Sequence, residues 1–436
     1  MALAILATRV RQEHGRSARD TVLCVMESMA RFEATAYTVQ VSRPDSRGVS
    51  MNPRLNILTI HQGAELYGSD RSFVSAVCAL RERHPDARID VVLPEPGPIV
   101  DLLQPYSTQI TYNGRGILRK VELKARPWST LKNMATAWLE YRRMFRTYDI
   151  CYVNTVVCVS AIAALRSRRA GAYVHVREIP SPLPCRVFHA LLRFSRARLI
   201  YNSAATAAAF GLDGVVIHNG VDPAAPVHTI HRAEKRLMRV VILGRVNPWK
   251  GQQFVLDALN ALGRSIPVHV RIVGDVYPGY ESLLDTLRQT AVTCEQTVEI
   301  EGFTDDPGAH LEWADFVLVP SIQPEPFGRV AIESFAAGRP VIAAATGGLR
   351  EIVTDDVTGL LFEPGNPKEF MRALERALAM TRDKYAAMAR AACEDYQRRF
   401  TVQSYKRAIA DFVSPTSNSG QTPGLASVSS QPAGRS

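Results

Sequence analysis

The chain has 436 residues, of which 46% are apolar and 22% charged, enough for more than one sizeable core and too apolar for a disordered polypeptide. No window approaches the roughly 18 uncharged apolar residues of a membrane-spanning helix, and the seven cysteines form no CxxC pair, which argues against a zinc ribbon or a disulfide framework and suits a reducing compartment. The net charge of +10 is uneven: residues 52–222 hold 22 Lys and Arg against 13 Asp and Glu, and residues 223–413 hold 22 against 24. An anionic partner, if there is one, is expected on the first half. Zinc-finger spacing and aromatic RNP-like motifs are both missing, so no nucleic-acid module is read.

Residues 1–50 show no coherent apolar period. MALAILA is apolar, but Arg9 and Arg11 follow it where a signal peptide needs the charges first. Met51 is followed at once by PRLNILTI, so Met51 is expected to be the initiator and 1–50 an upstream extension without a fold role. From Leu55 onward short β-rich runs alternate with helical patterns: LNILTI at 55–60, then runs at 88–94, 148–154, 172–176, 198–202 and 215–219. A second series begins at 239–244 and continues at 268–274, 297–302, 315–320, 339–345 and 359–362. Such alternation predicts two doubly wound (Rossmann-like) α/β domains with parallel sheets. The stretch between Val221 and Met238 has two prolines and no apolar period, and is expected to be the hinge. Residues 414–436, rich in Ser, Pro and Gly, read as a disordered tail.

Open α/β sheets bind ligands beyond the carboxyl ends of their strands, so the loops there carry the argument. Gly244-Arg245-Val246-Asn247-Pro248-Trp249-Lys250-Gly251 places two cations five residues apart, one at a strand end and one where a helix starts; they could clamp a diphosphate or simply be solvated. In Glu325-Pro326-Phe327-Gly328-Arg329-Val330-Ala331-Ile332-Glu333, Gly328 falls where a helix begins, so the amides of 328–330 are open to an anion. Glu325 and Glu333 flank them. Carboxylates beside phosphate call for hydroxyl partners, such as those of sugar and ribose, although Glu333 could also be an ordinary first-turn glutamate and Glu325 a loop charge. As a loop carboxylate, Glu325 is expected to contribute little to packing. Gly347-Gly348 would permit close approach to a ligand or serve as a plain turn. Asp305-Asp306 and Asp355-Asp356 are adjacent loop pairs, read as solvated and not as metal ligands.

The run GRVNPWKG, then EPFGRVAIE, AAGRPVIAAATGGLREIV and TGLLFEPG, resembles family 4 of the retaining glycosyltransferases, with the GT-B fold. The resemblance spans about Leu55 to Val413. It implies an N-terminal acceptor domain at 51–222 and a nucleotide-sugar donor domain at 223–395 facing it across a cleft, with a helix at 396–413 crossing back. It also implies roles. Arg245 and Lys250 hold the donor diphosphate, Glu325 contacts the transferred sugar and Glu333 the ribose. Phe303 lies near the nucleobase, and Phe327, Gly328, Arg329 and Val330 line the donor loop. On the acceptor side Gly68 and Ser69 stand where the family has a glycine pair, and His175 and Glu178 match the segment near the sugar, His175 being equally a satisfied strand-end histidine.

The implied reaction is hexosyl transfer from a UDP- or GDP-sugar to a glycan or lipid-linked glycan, as in surface polysaccharide or glycolipid assembly. It retains configuration through an oxocarbenium-like transition state and needs neither metal nor cofactor, because Arg245, Lys250 and the helix amides carry the developing charge. A silent sugar- or lipid-binding relative, or a nucleotide-sugar epimerase, is the alternative. The expected location is cytoplasmic. Docking on an anionic membrane face is expected through 167–169 and 185–199, where Val187, Leu191 and Phe194 share a face that could instead pack on the sheet.

Overall fold

The computed structural model describes residues 54–168, 171–223, 237–262, 266–276, 279–304, 306–414 and 427–428. The readings of 1–50, of most of the hinge, of Arg169, of Asp305 and of most of the tail therefore lie outside the described residues. Two compact units form: the first from residues 54–200, 209–215 and the chain from Ile409, the second from Tyr201–Ala208 and Val216–Ala408.

In the first unit the chain runs β1 (Asn56–His61), α1 (Gly68–Arg83), β2 (Arg88–Leu93), α2 (Ile99–Leu103), β3 (Gln109–Tyr112), α3 (Lys120–Ala125) and α4 (Pro127–Met144). A 3-10 turn, Phe145–Thr147, leads to β4 (Ile150–Asn154), α5 (Val159–Leu165), β5 (Ala172–Val176), α6 (Pro182–Ser195), β6 (Arg198–Tyr201), α7 (Ala204–Phe210) and β7 (Gly214–Val216). The second unit continues with β8 (Met238–Leu243), α8 (Gln252–Asn260), β9 (Val268–Val273), α9 (Glu281–Val292), β10 (Thr297–Glu301), α10 (Gly308–Trp313) and β11 (Phe316–Val319). Then come α11 (Arg329–Ala336), β12 (Val341–Ala344), α12 (Leu349–Ile352), β13 (Gly359–Phe362), α13 (Pro367–Leu378), α14 (Arg382–Arg399) and α15 (Val402–Phe412), whose end from Ile409 belongs to the first unit, as does the two-residue β14 (Ser427–Val428).

The first sheet has the order β14-β7-β6-β5-β4-β1-β2-β3, with β3, β2, β1, β4 and β5 paired in parallel. Its central strands β4 and β5 are buried along their whole length, as expected where helices cover both faces. β3 is the strand that apolar runs do not announce. Its QITY sequence is half exposed at the sheet edge, where only one side needs apolar contacts. β14 pairs antiparallel with β7, so two residues of the segment read as disordered form an edge strand. The end of α15 closes this unit: Phe412 packs edge-on against Tyr173 at 5.8 Å, the Arg198 guanidinium lies 4.1 Å over the Phe412 ring, and the Tyr173 hydroxyl donates to the Ser414 carbonyl. On α6, Phe188 and Leu192 are buried, while Val187, Leu191 and Phe194 are half-buried, with Arg166 over the Phe194 ring.

The second sheet has the order β10-β9-β8-β11-β12-β13, the doubly wound order in which the crossovers reverse between β8 and β11. Its helices are capped locally. Asn366 accepts from the amides of Lys368 and Glu369 ahead of α13, with Pro367 in the first turn, and Thr381 accepts from Lys384 ahead of α14. Tyr201–Ala208 lies between first-unit segments in the chain but is counted with the second unit, for reasons that appear at the site.

Candidate functional site

The reversal between β8 and β11 opens a crevice at their carboxyl ends, and the two charged loops leave the sheet there. After β8 the chain turns at Gly244, whose φ is 123°. The Arg245 carbonyl accepts from the Gln252 side chain, and the Lys250 amide bonds back to the Asn247 side chain at 3.0 Å. Gly251, at φ 82°, starts α8 so close to the loop after β11 that a Cβ would stand 2.0 Å from the Pro320 carbonyl. Any other residue at 251 would push the two loops apart.

Across this contact Lys250 reaches Glu325, with Nζ 2.7 Å from Oε2 and 3.0 Å from Oε1, while the Trp249 ring lies 4.5 Å from the ammonium. The Ser321 hydroxyl donates to Glu325 Oε2 at 2.9 Å. Glu325 is therefore buried, its side chain 10% exposed, and not the weakly packed loop carboxylate expected from sequence. A charge in that setting is tolerable only with its partner in place. One helix further, Arg329 and Glu333 pair at 2.7 Å on the first turn of α11. Gly328 caps that helix at φ 107°, so the amides of 328–330 fall in the turn that a helix leaves open. Phe327 points inward and is buried between His218 and Phe400 at 5.7 and 6.2 Å; Val330 is half-buried and packs against the core, and Phe303 is 57% exposed.

The glycine pair after β12 approaches backbone, not open space. A Cβ on Gly347 would lie 2.1 Å from the Glu325 carbonyl, one on Gly348 2.5 Å from the Phe327 carbonyl, and the Gly348 amide donates to the Glu325 carbonyl. On the other side, the Ser203 and Thr206 hydroxyls both donate to the Pro326 carbonyl, at 2.5 and 3.1 Å. Glu351 accepts from the amides of Ala204 and Ala205 at the start of α7 and lies 3.3 Å from His218 Nε2. Burial pushes the Glu351 carboxyl up, but His218 and the two amides outweigh it and hold it below its ordinary value. These contacts explain why Tyr201–Ala208 is counted with the second unit. Sequence reasoning missed Ser203, Thr206, His218 and Glu351, because a hydroxyl or a carboxylate on a short helix carries no pattern. Asp355 and Asp356 are engaged by Arg376 and Lys384.

The first unit gathers a second polar cluster at the carboxyl ends of β1, β4 and β5. His61 Nε2 lies 2.6 Å from Asp70 Oδ1, and its Nδ1 2.8 Å from the Asn154 amide nitrogen; Arg177 donates to Asn154 Oδ1 at 2.6 Å. Gly63 is required here, since a Cβ would meet Asp70 Oδ1 at 2.5 Å. Gly68 opens α1, and Ser69 donates to Asp70 at 3.4 Å. His175 is fully enclosed. Its Nδ1 stands 2.7 Å from the Tyr152 hydroxyl and 3.3 Å from the Arg177 guanidinium, which can only donate. Burial first, and Arg177 second, hold the His175 imidazole well below its ordinary pKa, so it is neutral. Burial likewise raises the Glu178 carboxyl, although the Arg177 and Val156 amides donate to it. Among the described residues no group of three or more His, Cys, Asp or Glu is arranged to hold a metal, and no helix is long and apolar enough to cross a membrane.

Residues 238–380 match the family model described as glycosyl transferases group 1. The chain is 34% identical over 160 residues to a D-inositol 3-phosphate glycosyltransferase of Segniliparus rotundus, an alignment covering 35% of this chain and 34% of that protein. It is 32% identical over 148 residues to a lipopolysaccharide 1,2-N-acetylglucosaminetransferase of Salmonella typhimurium, covering 31% of this chain and 38% of that protein. The match thus spans about a third of the length of these curated relatives. The crystal structure of Anabaena HepE in complex with UDP and glucose superposes with a TM-score of 0.66 at 25% identity, covering 83% of this chain and 99% of that one. The architecture, two Rossmann-like parallel-sheet domains, is that of the GT-B glycosyltransferases.

Proposed function

We propose that this chain is a retaining, metal-independent glycosyltransferase that moves a sugar from a nucleoside-diphosphate sugar to a glycan or lipid-linked glycan. The observation that carries this reading is the contact between Lys250 and Glu325 across the β8/β11 reversal, with Arg245 on the same loop, inside the segment that matches the group 1 family. HepE binds UDP and UDP-glucose, which supports a UDP-sugar as the first donor to test.

In this reading Arg245, Lys250 and the amides of 328–330 receive the diphosphate. Lys250 neutralises Glu325 in the structure and stands between carboxylate and phosphate once the donor is bound. Glu325 then accepts from the transferred sugar's hydroxyls and Glu333 from the ribose, with Phe303 toward the base. The bond from C1 to the diphosphate oxygen breaks as the acceptor hydroxyl approaches the same face, and its proton passes to the departing phosphate. Charge grows on the leaving group, where in this reading the two cations and the amides stabilise it. Gly68, Ser69 and Glu178 are assigned to the acceptor. His175, being enclosed, orients Arg177 and does not touch sugar.

Thermal-shift screening against UDP-, GDP-, ADP- and CMP-sugars identifies the donor, since only a bound donor raises stability by mass action. NMR of the product's anomeric proton then reads the stereochemistry, with and without chelator. Inversion, dependence on added metal, or full turnover by a folded Glu325→Gln protein would each overturn the assignment.

A further inference from the structure

Away from the donor loops, the first unit carries a surface whose composition and geometry point to one kind of partner. α4 exposes Trp128, Lys132, Ala135, Leu139 and Arg143, and just past its end Arg146, at steps of four, three, four, four and three residues. That is the spacing of a single helical face, opposite the buried Thr130, Ala137 and Tyr141. Trp128 is 78% exposed and Leu139 43%. No acid stands on the stripe; Glu140, on its flank, is paired with Arg115 at 3.0 Å and accepts from Asn113.

Arg146 also lines a cavity of about 460 Å³ together with Arg142 and Arg168. The carboxylate in its lining, Asp149, accepts the Asn56 amide at 2.8 Å, and Arg168 donates to the carbonyls of Phe145 and Asp149. Arg142 lies 5.5 Å from the Trp138 ring centroid. Between residues 115 and 149 the chain has nine Lys and Arg against three Asp and Glu, a large share of the first half's positive excess. The stripe and the cavity are thus one continuous basic surface, joined at Arg146.

We propose that this face docks on an anionic phospholipid bilayer, with α4 lying along the headgroups and a lipid phosphate taken up by Arg142, Arg146 and Arg168. An indole amid Lys and Arg suits the headgroup layer, where the ring sits at the interface and the long stems reach phosphate. The apolar side chains stand singly among cations along a straight face; they form no contiguous apolar patch of the kind a protein interface centres on. The proposal does not depend on the transfer reaction, because binding is read without donor or turnover. It differs in place from the α6 surface suggested by sequence, whose apolar positions are half-buried.

The test is co-sedimentation of the full chain with vesicles of phosphatidylcholine alone or mixed with phosphatidylglycerol, at low and high salt. Binding is expected only to the mixed vesicles and is expected to fall at high salt. Each charge near such a surface is worth roughly fivefold, so Arg143→Glu with Arg146→Glu should weaken binding by about a hundredfold or more, with unchanged thermal unfolding. Trp128→Ala should weaken binding and remove the blue shift of tryptophan emission on vesicles. Equal binding to neutral vesicles, or reversals without effect, would overturn the proposal. So would loss of binding through Arg186→Glu with Arg193→Glu on α6 while the α4 reversals bind normally. Saturable binding of inorganic phosphate or of an acidic protein, with no binding to mixed vesicles, would make the cavity an anion site and overturn the bilayer assignment.

Discussion

Replacing Lys250 by Met separates the structural from the catalytic role of the Lys250–Glu325 pair. In the native protein the lysine side chain is 23% exposed and the glutamate 10%. Removing the cation leaves a nearly enclosed carboxylate beside the Ser321 hydroxyl, which donates to it at 2.9 Å. Breaking a fully buried pair costs about 3–5 kcal/mol and an exposed pair about 0–1. With one partner a quarter open to water, about 2–3 kcal/mol is expected. For a unit of some 200 residues this lowers the midpoint of its calorimetric transition by about 4–12 °C. Adding Glu325→Gln removes the stranded charge, so the double variant should recover most of the loss, a coupling of about 2 kcal/mol. Transfer should not recover, because in the proposed reaction both groups act on the donor. A Lys250→Met protein within about 0.5 kcal/mol of the parent, or a double variant no more stable than it, would refute the argument that the pair is buried and mutually dependent.

Gly347→Ala places a Cβ 2.1 Å from the Glu325 carbonyl at a φ of 54°, so it should cost about 2 kcal/mol or more and weaken nucleotide binding at least roughly tenfold by calorimetric titration. Ser203→Ala with Thr206→Val removes both hydroxyl donors to Pro326, at about 1 kcal/mol each; donor KM should rise with little change for the acceptor, whereas a uniform fall in both would mean general misfolding. Glu351 has a depressed pKa in the folded chain, so its stabilisation is full above the unfolded carboxyl value near ~4.3 and is lost as pH falls through the folded value. Urea unfolding of Glu351→Gln should therefore lie below the parent near neutrality and converge with it toward acid; a gap independent of pH would contradict this.

The fold was legible where burial on both faces made strands into mainly apolar runs, as in β4, β5 and β12, and illegible at β3, where QITY needs contacts on one side only. The loops after β8 and β11 announced themselves because Pro, Gly and charge coincide at strand ends. What they rest on did not. Gly347 and Gly348 read either as facing a ligand or as a plain turn, and nothing local encodes the Glu325 and Phe327 carbonyls against them. Glu325 read as a loop carboxylate with little part in packing, because sequence shows its charge and not its enclosure. The cluster of His61, Asp70, Asn154 and Arg177 joins positions up to 93 residues apart along any one bond, and no local pattern encodes such a meeting.

Phe412 over Tyr173 and under Arg198 has a consequence for the order in which the protein can be made. About 190 residues of the second unit are synthesised between Val215 and Ile409, the points where the chain leaves and rejoins the first. At about 5–20 residues per second the ribosome needs roughly 10–40 s for them. During that interval the first sheet waits with Tyr173 and Arg198 uncovered by Phe412, and by its end the second unit has all its strands. The N-terminal half is therefore finished last. A chain halted before Ile409 would leave it exposed to chaperones and proteases, although every one of strands β1 to β7 had long since been translated.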